Sequence, residues 1–244
     1  MPENRLTGKV AVVTGGGRGI GRAIALAFAD EGADLCLVAR TESQLNEVAE
    51  EVRTKGRQAL TVSTDVTDRV QVEEMAAQVN NTFGQLDILV NNAGGGIERN
   101  RIAESDPDLW IKDVRVNLIS AYLVTHALLP LMIESGGGKI INTGSGMGHR
   151  SSPKSSAYHV GKAGLWMFTQ CLAEEVWEHG IDVNELVPGP VASRDPSRVG
   201  ATSGFAPSER VKATEDVAPL ALFLATQPPG GPTAQSFSLA RRPI

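Results

Sequence analysis

Apolar and polar positions follow two periods that alternate along the chain. Short runs rich in valine, isoleucine and leucine are separated by longer segments in which apolar residues recur every three or four positions. The short runs predict strands that are buried on both faces, and the longer segments predict amphipathic helices. Strands are predicted at residues 9–15, 34–40, 58–66, 86–94, 138–145, 181–189 and 235–240. The alternation predicts an α/β fold with a doubly wound parallel sheet of the Rossmann type.

The predicted helices lie between these strands, and several of them end at a glycine, as a left-handed cap requires. They cover residues 21–32, 42–56, 69–84, 108–136, 158–180 and 210–227. No linker or repeat divides the chain, so a single domain over residues 1–244 is predicted. Between Pro188 and Ser208 the periodicity is lost. A stretch of that length inside a compact domain predicts a functional lid, near residues 190–210.

Composition and charge exclude several classes of protein. The formal net charge is −5 and the pI is about 5.5, without the clustered basic surface that a nucleic-acid partner requires. No apolar run is read as a membrane span, and the N-terminus enters a strand without an apolar signal region. Cys36 and Cys171 are expected to be reduced thiols. These observations predict a cytoplasmic protein without a membrane or nucleic-acid partner.

The segment "TGGGRGIG", residues 14–21, ends the first predicted strand and opens the first helix. Glycines permit a tight turn, and the helix N-terminus then offers free amides and a positive dipole to a pyrophosphate. The spacing Gly15-x3-Gly19-x-Gly21 lacks the Lys-Ser/Thr ending of an ATP-binding loop. It predicts a dinucleotide site, with a plain turn as the alternative.

The end of the second strand indicates which dinucleotide is bound. A carboxylate there would accept from a ribose 2′-hydroxyl, whereas arginine accommodates a 2′-phosphate. This chain has Ala39 and Arg40 at that point, with Arg18 inside the glycine turn. The two guanidiniums favour NADP(H), while NAD(H) stays open because either arginine alone could be a solvated surface charge.

Tyr158 and Lys162 stand four residues apart in a predicted helix, so they share one face. A free tyrosine titrates near pH 10, and a shift of about three units requires roughly 4 kcal/mol of preference for the phenolate. A nearby ammonium is expected to lower the pKa of the tyrosine in this way. Tyr158 would then serve as a general acid or base. The same spacing occurs by chance in many helices, so the pair needs support from other motifs.

That support comes from seven motifs in register. They are Thr14–Gly21, Asp65-Val66, Asn91–Gly94, Asn117, Ser145, the Tyr158-x3-Lys162 pair and Pro188-Gly189. From about Gly8 to Gln227 the chain resembles the short-chain dehydrogenase/reductase family, close in pattern to 3-oxoacyl-[acyl-carrier-protein] reductases.

The resemblance implies a catalytic set and a cofactor set. Tyr158 would transfer the proton, Lys162 would also bind the nicotinamide ribose, Ser145 would polarise the carbonyl, and Asn117 would support a water relay. The implied cofactor-binding residues are Gly15, Gly17, Arg18, Gly19, Ile20, Gly21, Arg40, Asp65, Val66, Asn92, Ala93, Gly94, Tyr158, Lys162, Pro188, Gly189, Val191 and Ser193. No metal is implied.

Purely structural roles remain open for three of these residues. Ser145 could only satisfy a turn, Asn117 could be a buried amide that bonds the helix backbone, and Asp65 could cap a helix. All four histidines are expected to be structural or at the surface.

Departures from the family pattern are also visible. Gly144 replaces a frequent second serine and is expected to widen the cleft. Glu185 replaces a small apolar residue, and we expect it to form a structural ion pair, with a substrate contact as the alternative. The ending "GPTAQSFSLARRPI" differs from the usual last strand. This leaves the predicted oligomer, a homotetramer or homodimer through the helices of Asn117 and Tyr158, less defined.

The sequence therefore predicts an NADPH-dependent reductase that converts a ketone to a secondary alcohol. The substrate would be a small-molecule carbonyl, either a compact ketone or a 3-oxoacyl thioester that could be linked to an acyl carrier. Basic residues near the predicted mouth would suit an acidic carrier: Arg99, Arg101, Arg150, Lys154, Arg194 and Arg198. The alternatives are an NAD-dependent alcohol, sugar or steroid dehydrogenase and, from another class, a non-catalytic nucleotide-binding sensor or scaffold.

Overall fold

Seven parallel strands form one sheet in the computed structural model, which describes residues 4–193, 195–204 and 209–241. The strands are β1 (Val10–Thr14), β2 (Asp34–Ala39), β3 (Ala59–Ser63), β4 (Ile88–Asn91), β5 (Gly138–Thr143), β6 (Ile181–Val187) and β7 (Ser236–Ser238). Their order is β3-β2-β1-β4-β5-β6-β7. The predicted doubly wound α/β fold is confirmed, although each strand is shorter than its apolar run because the flanking residues turn into loops.

Helices cover both faces of the sheet. They are α1 (Gly19–Asp30), α2 (Glu42–Thr54), α3 (Arg69–Phe83), α4 (Pro107–Val114), α5 (Ser120–Glu134), α6 (Ser156–Val176) and α7 (Ala218–Ala225). One core layer contains Phe28 of α1 and Leu224 of α7. The other contains Met75 of α3, Leu128 of α5 and Leu172 of α6. The strands are buried between these layers, which explains their almost continuous apolar character.

The strand order reverses between β1, which leads outward to β2 and β3, and β4, which leads outward to β7. Open parallel sheets bind ligands in the crevice beyond the carboxyl ends of the strands at such a point. The loops that follow β1, β4 and β5 therefore meet there.

The predicted helix over residues 108–136 is interrupted by a π-helical turn at Arg115–Ile119. Asn117 provides the physical reason, because its side-chain Nδ2 donates to the backbone oxygen of Asp113 at 2.8 Å. The amide side chain thus takes the carbonyl that an α-helical backbone N–H would use. Such turns are frequent at functional sites.

The last helix begins later than predicted, at Ala218 rather than at residue 210. Pro219 lies in its first turn, where a missing N–H is tolerated, whereas a longer helix would place this proline in its interior. Arg210 and Lys212 instead form isolated bridges with Thr202 and Val191, and a 3-10 turn at Glu215–Val217 leads into the helix.

The predicted lid is only partly within the described residues, because residues 194 and 205–208 lie outside them. The described part is mostly exposed, with a single 3-10 turn at Pro196–Arg198. The bridges to Arg210 and Lys212 hold it beside the carboxyl end of the sheet.

The continuous helical run Pro107–Glu134 is long and apolar enough to cross a membrane by length and composition, which differs from our reading of the sequence. In this structure 44% of its most apolar window is buried, and it packs between α3, α6 and the sheet. Packing in the core accounts for its apolar character. Cys36 and Cys171 are both free thiols, as expected.

Candidate active site

A cleft of about 750 Å³ opens at the carboxyl ends of the strands, where the strand order reverses. It lies between the turn after β1, the end of β2, the loops after β4, β5 and β6, and the first turns of α6. Predicted residues that line it are Gly15, Gly17, Arg18, Gly19, Ile20, Arg40, Asp65, Val66, Asn92, Ala93, Gly94, Tyr158, Lys162, Pro188, Val191 and Ser193.

The glycine turn presents backbone amides to this cleft. Gly15 and Gly19 have φ of 66° and 58°, in the left-handed region that favours glycine. Arg18 is the N-cap of α1 and makes no side-chain cap hydrogen bond, and the first turn holds no acidic residue. The uncapped amides and the helix dipole therefore face an anion in the cleft, so this end fits a dinucleotide pyrophosphate.

Gly21 and Gly189 do not line the cleft, in contrast to their predicted cofactor contact. A Cβ at Gly21 would overlap the backbone oxygen of Gly15 and lie 2.6 Å from Asn92 Nδ2. Gly189 has φ of 70° and packs against Ala240. Both glycines therefore support the conformation of the cleft loops without contacting the cleft.

The segment "NNAG" ties the cleft to the sheet. Thr14 Oγ1 accepts from the backbone amides of Asn92 (2.9 Å) and Ala93 (3.0 Å), and Asn92 Nδ2 donates to the backbone oxygen of Thr14 (2.9 Å). Gly94 packs tightly, because a Cβ there would lie 2.8 Å from Asn117 Oδ1 and 3.3 Å from Lys162 Nζ. The glycine thus allows Asn117 and Lys162 to approach each other.

Arg18 and Arg40 are exposed at the nucleotide end, and no ion pair engages either of them within the described ranges. Asp65 lies near Arg40 and accepts from Thr67 N (3.0 Å) and Thr67 Oγ1 (2.7 Å). Partial burial raises the pKa of Asp65, but the Thr67 hydrogen bonds and the charge of Arg40 outweigh it and leave this pKa below its ordinary value. Asp68, rather than Asp65, caps α3.

Tyr158 and Lys162 project from one face of α6 into the floor of the cleft. Lys162 Nζ donates to the backbone oxygen of Thr143 at 2.7 Å and lies 5.9 Å from the centroid of the Tyr158 ring. Ser145, which follows β5, lies close enough to the Tyr158 hydroxyl to lower the pKa of that tyrosine. Ser145 also accepts from Met147 N at 3.2 Å, so it stabilises its own turn as well.

Burial raises the pKa of Tyr158 above its ordinary value, with a further increase from Asp113, while Ser145 and Arg99 act in the opposite direction. The expectation that Lys162 lowers the pKa of Tyr158 is therefore wrong, because burial has the larger effect. Burial also lowers the pKa of Lys162 to about 8, although the charges of Glu185 and Asp113 favour its protonated form. The effect of desolvation on the Lys162 pKa is larger than that of the two carboxylates, because Lys162 lies in the protein interior.

Asn117 is buried behind the loop after β4 and lies beside the cleft without lining it. Its Oδ1 accepts from Gly95 N at 3.0 Å, and its Nδ2 donates to the Gly95 oxygen at 3.0 Å and to Asp113 Oδ1 at 2.6 Å. The amide therefore fixes the loop that borders Tyr158, in addition to bonding its own helix.

Asp113 is a site residue that the sequence reasoning missed. Its buried carboxylate accepts from the backbone amides of Ile97 (2.8 Å) and Glu98 (3.0 Å), as well as from Asn117. It thereby joins α4 to the loop after β4. A carboxylate one helical turn before Asn117, and so on the same helix face, was the signal that could have revealed it.

Gly144 does not widen the cleft in the expected way, because a side chain from β6 fills the space. A Cβ at residue 144 would overlap Glu185 Oε1. Glu185 is fully buried, and its Oε2 lies 2.8 Å from His149 Nε2 and accepts from Ser236 Oγ at 2.5 Å. A structural pair for Glu185 was expected, and His149 is the residue that forms it.

The predicted basic residues are dispersed. Arg99 and Arg198 line the cleft, while Arg101, Arg150 and Lys154 are exposed outside it. Arg194 lies outside the described residues. His159 is structural, since its Nδ1 lies 2.6 Å from the backbone oxygen of Met147. In the described part of the chain no three His, Cys, Asp or Glu residues form a group that could hold a metal ion.

Comparison with known proteins agrees with this fold. The short chain dehydrogenase family profile matches residues 9–201. An uncharacterized oxidoreductase of Mycobacterium tuberculosis is 39% identical over 230 residues, which cover 91% of this chain and 87% of that protein. The chain belongs to the short-chain dehydrogenase family of oxidoreductases, which bind a nicotinamide dinucleotide and act on small molecules.

Three further similar proteins have named activities. The 3-oxoacyl-[acyl-carrier-protein] reductase of Haemophilus influenzae is 35% identical over 232 residues, or 92% of this chain and 93% of that protein. Carveol dehydrogenase from Mycobacterium avium, solved with NAD, superimposes with a TM-score of 0.90 at 26% identity over 96% of this chain and 97% of that one. NAD⁺-bound xylitol dehydrogenase gives a TM-score of 0.87 at 26% identity, over 96% and 98% of the two chains.

Proposed function

We propose that this protein reduces a ketone to a secondary alcohol and uses NADP(H). The observation that carries the proposal is the arrangement at the cleft floor. There Tyr158, with a raised pKa and therefore protonated at neutral pH, lies beside Lys162 and close to Ser145. A protonated phenol in that position is a proton donor for a carbonyl oxygen.

Each of the four polar residues has a role in this chemistry. The Tyr158 hydroxyl donates its proton to the carbonyl oxygen as the alcohol forms, and the Ser145 hydroxyl donates a hydrogen bond to the same oxygen. The Lys162 cation stabilises the phenolate that remains. Asn117 holds the loop after β4 and supports the return of a proton to Tyr158 from solvent.

Arg18 and Arg40 support the choice of NADP(H). They lie at the nucleotide end, where the adenosine ribose of a dinucleotide would be placed, and their guanidiniums suit a 2′-phosphate. When bound, a reduced nicotinamide supplies the hydride, and the protein supplies its orientation. Asp65 approaches the same end, but its Thr67 hydrogen bonds engage it locally.

The proposed substrate is a compact ketone or a 3-oxoacyl thioester, and an acyl carrier could present the thioester. The H. influenzae relative supports the thioester, since it is a 3-oxoacyl-[acyl-carrier-protein] reductase. Arg99 and Arg198 at the cleft provide positive charge for an acidic carrier. The described residues 190–193 and 195–204 border this side, and we propose that they close over the substrate.

A second candidate function is an NAD-dependent alcohol or sugar dehydrogenase. It is favoured by the two structural neighbours that contain NAD, which are named for the oxidation of carveol and of xylitol. A ratio of catalytic efficiencies in favour of NAD would select this alternative.

We also propose a homodimer or homotetramer in which α4, α5 and α6 provide the contact. Large apolar side chains on these helices are exposed in the single chain: Leu109, Ile111, Tyr122, Ile133, Val160 and Met167. An apolar surface of this kind is typical of an interface between subunits.

The test of the proposed function is a set of initial rates with a carbonyl panel that includes a 3-oxoacyl thioester, compact ketones, carveol's ketone and xylulose. Each substrate is assayed with NADPH and with NADH. We expect turnover with NADPH to exceed that with NADH, and Tyr158→Phe to abolish both. Tight NADPH binding without turnover of any carbonyl would instead favour the sensor or scaffold alternative.

A further inference from the structure

A row of polar side chains crosses four neighbouring strands under the catalytic side of the cleft. In the strand register Asn91 pairs with Asn142, Asn142 with Glu185, and Glu185 with Ser236. Residues paired in this way point to the same face of a parallel sheet. Asn91 donates to Asn142 Oδ1 at 2.9 Å, and Asn142 donates to Thr169 of α6 at 2.9 Å. The row therefore lies beneath α6, the helix that carries Tyr158 and Lys162.

Glu185 is the only ionisable member of this row. One carboxylate oxygen, Oε2, engages His149 and Ser236, while the other, Oε1, has no hydrogen-bond partner within the described part of the chain. The unpartnered oxygen occupies the space that a side chain at Gly144 would need. A buried carboxylate with one oxygen left without a hydrogen bond is costly, so its presence at this point requires an explanation.

Two neighbours of Glu185 belong to the proposed catalytic set or carry it. The first is the turn from Gly144 to His149, which contains Ser145 and is attached to β6 through the His149–Glu185 contact. Trp166 of α6 packs against the His149 ring with centroids 5.3 Å apart and holds it in place. The second neighbour is Lys162, whose Nζ donates to the backbone oxygen of Thr143, the residue that precedes Gly144, against which Glu185 Oε1 packs. The charge of Glu185 favours the protonated form of this lysine.

We propose that Glu185 is a positioning residue of the reductase site: through His149 it fixes the turn of Ser145, and its carboxylate, packed against Gly144, acts on the neighbouring Lys162 cation. This inference rests on the proposed function for its catalytic meaning. Gly144 contributes to this arrangement of Glu185 and His149, because a glycine at this position leaves room for the carboxylate beside the turn.

The charged and titratable groups that face Lys162 come from three elements. Glu185 belongs to β6, Asp113 belongs to α4, and Tyr158 belongs to α6 itself. His149 faces Glu185 from the turn before α6. Burial holds the pKa of Lys162 at about 8, and the two carboxylates raise it against that burial. Loss of the Glu185 charge should therefore move the pKa of Lys162 to a lower value, so that the cation is lost at a lower pH.

The experiment compares the wild type with Glu185→Gln, Glu185→Asp and Asp182→Asn. Glutamine keeps the shape of Glu185 and removes its charge, whereas aspartate keeps the charge and shortens the reach to His149. Asp182 is the matched control, since it is a buried carboxylate on the same strand that pairs with Lys139 away from the cleft. For each protein we would measure kcat/KM with NADPH, and the Kd of NADPH from fluorescence, between pH 6 and pH 10.

We expect Glu185→Gln to shift the alkaline limb of both profiles to lower pH by about one unit, a change of the size that one nearby charge produces. Glu185→Asp should return the alkaline limb most of the way to its wild-type pH, because the charge is kept. Its kcat should stay reduced, because the shorter side chain no longer anchors the turn of Ser145 through His149. Asp182→Asn should lower the melting temperature and leave the limb in place. Unchanged limbs in Glu185→Gln, with only a lower melting temperature, would overturn the inference.

The two readouts separate this inference from the proposed function. A wild type that turns over no carbonyl would refute the proposed function, whereas a shifted NADPH-binding limb in Glu185→Gln would still support the action of Glu185 on Lys162. A wild type that reduces ketones with the same limb as Glu185→Gln would refute only the role of Glu185.

The contact with Gly144 is tested by a double-mutant cycle. Gly144→Ala should destabilise the wild type because its Cβ overlaps the Glu185 carboxylate, and it should cost much less in the Glu185→Ala background. Equal melting-temperature losses in both backgrounds would show that the two positions are independent, and that Gly144 has no part in the placement of Glu185.

Discussion

The two sides of the cleft are formed by different kinds of chemical group. The nucleotide side consists of backbone amides, glycines with positive φ and two exposed arginines, all from the short segments that follow β1 and β2. The catalytic side consists of buried ionisable side chains from α4, α6 and β6, far apart in sequence. The nucleotide side can therefore be read from local spacing, whereas the charge state of the catalytic side depends on contacts that only folding creates.

The largest effect should follow a change on the catalytic side that leaves the nucleotide side intact. Tyr158→Phe removes the proton donor and keeps the ring, so kcat should fall by about 10³-fold, within the usual range for a general acid. NADPH binding should change less than about threefold. Initial rates and fluorescence titration measure the two quantities, and a variant with more than a tenth of wild-type kcat would contradict the assignment.

Asp113→Ala should have the next largest effect, since it leaves the buried amides of Ile97 and Glu98 without their acceptor. We expect a loss of about 3 kcal/mol in the free energy of unfolding and about 100-fold in kcat/KM, as the loop beside Tyr158 loosens. Denaturant titration and steady-state kinetics test this. Asp108→Ala, at an exposed position on the same helix, is the control. Wild-type activity in Asp113→Ala would refute its role in the site.

A change on the nucleotide side should alter cofactor choice without altering the chemistry. Arg40→Ala should raise the KM for NADPH by about 30-fold, which is the worth of a charge-assisted contact to phosphate, and leave the KM for NADH nearly unchanged. Arg69→Ala removes an exposed arginine from α3 as the control. Equal changes for the two cofactors would argue against a 2′-phosphate site at Arg40.

The pH dependence should show the smallest effect and belong to the catalytic side alone. The pKa of Lys162 is about 8, below its ordinary value, so its cation is lost as the pH rises through 8. Tyr158 has a raised pKa and stays protonated over the same range. The rate of reduction should thus fall above pH 8, by up to tenfold per unit. A rate that stays constant to pH 10 would contradict the need for this cation.

Local patterns predicted the sheet, the glycine turn and the position of Tyr158 and Lys162 on one helix face, because each depends on residues close in sequence. Three features could not be predicted in this way. The π turn at Arg115–Ile119 arises from a side-chain competition, and α7 begins late because Pro219 needs a first-turn position. The overlap between Gly144 and Glu185 joins two strands that are 41 residues apart in sequence (185 − 144).

The same reasoning explains the pKa of Tyr158. A lysine four residues away suggested a lowered value, but the sequence does not reveal how deeply the pair is buried or that Asp113 lies nearby. Burial reverses the direction of the shift. The pKa values of Tyr158 and Lys162 depend on burial and contacts that the fold creates, whereas the sequence alone is enough to identify the two residues.

The most direct test of the central claim is to trace the hydride itself. The enzyme would be supplied with NADPH deuterated at the nicotinamide C4 position and with the ketone that reacts best in the panel, and the alcohol would be analysed by mass spectrometry and NMR. One deuterium on the carbinol carbon for each NADPH consumed is the predicted result. An alcohol without deuterium from either C4-labelled form, or no alcohol from any ketone, would contradict the assignment as a carbonyl reductase.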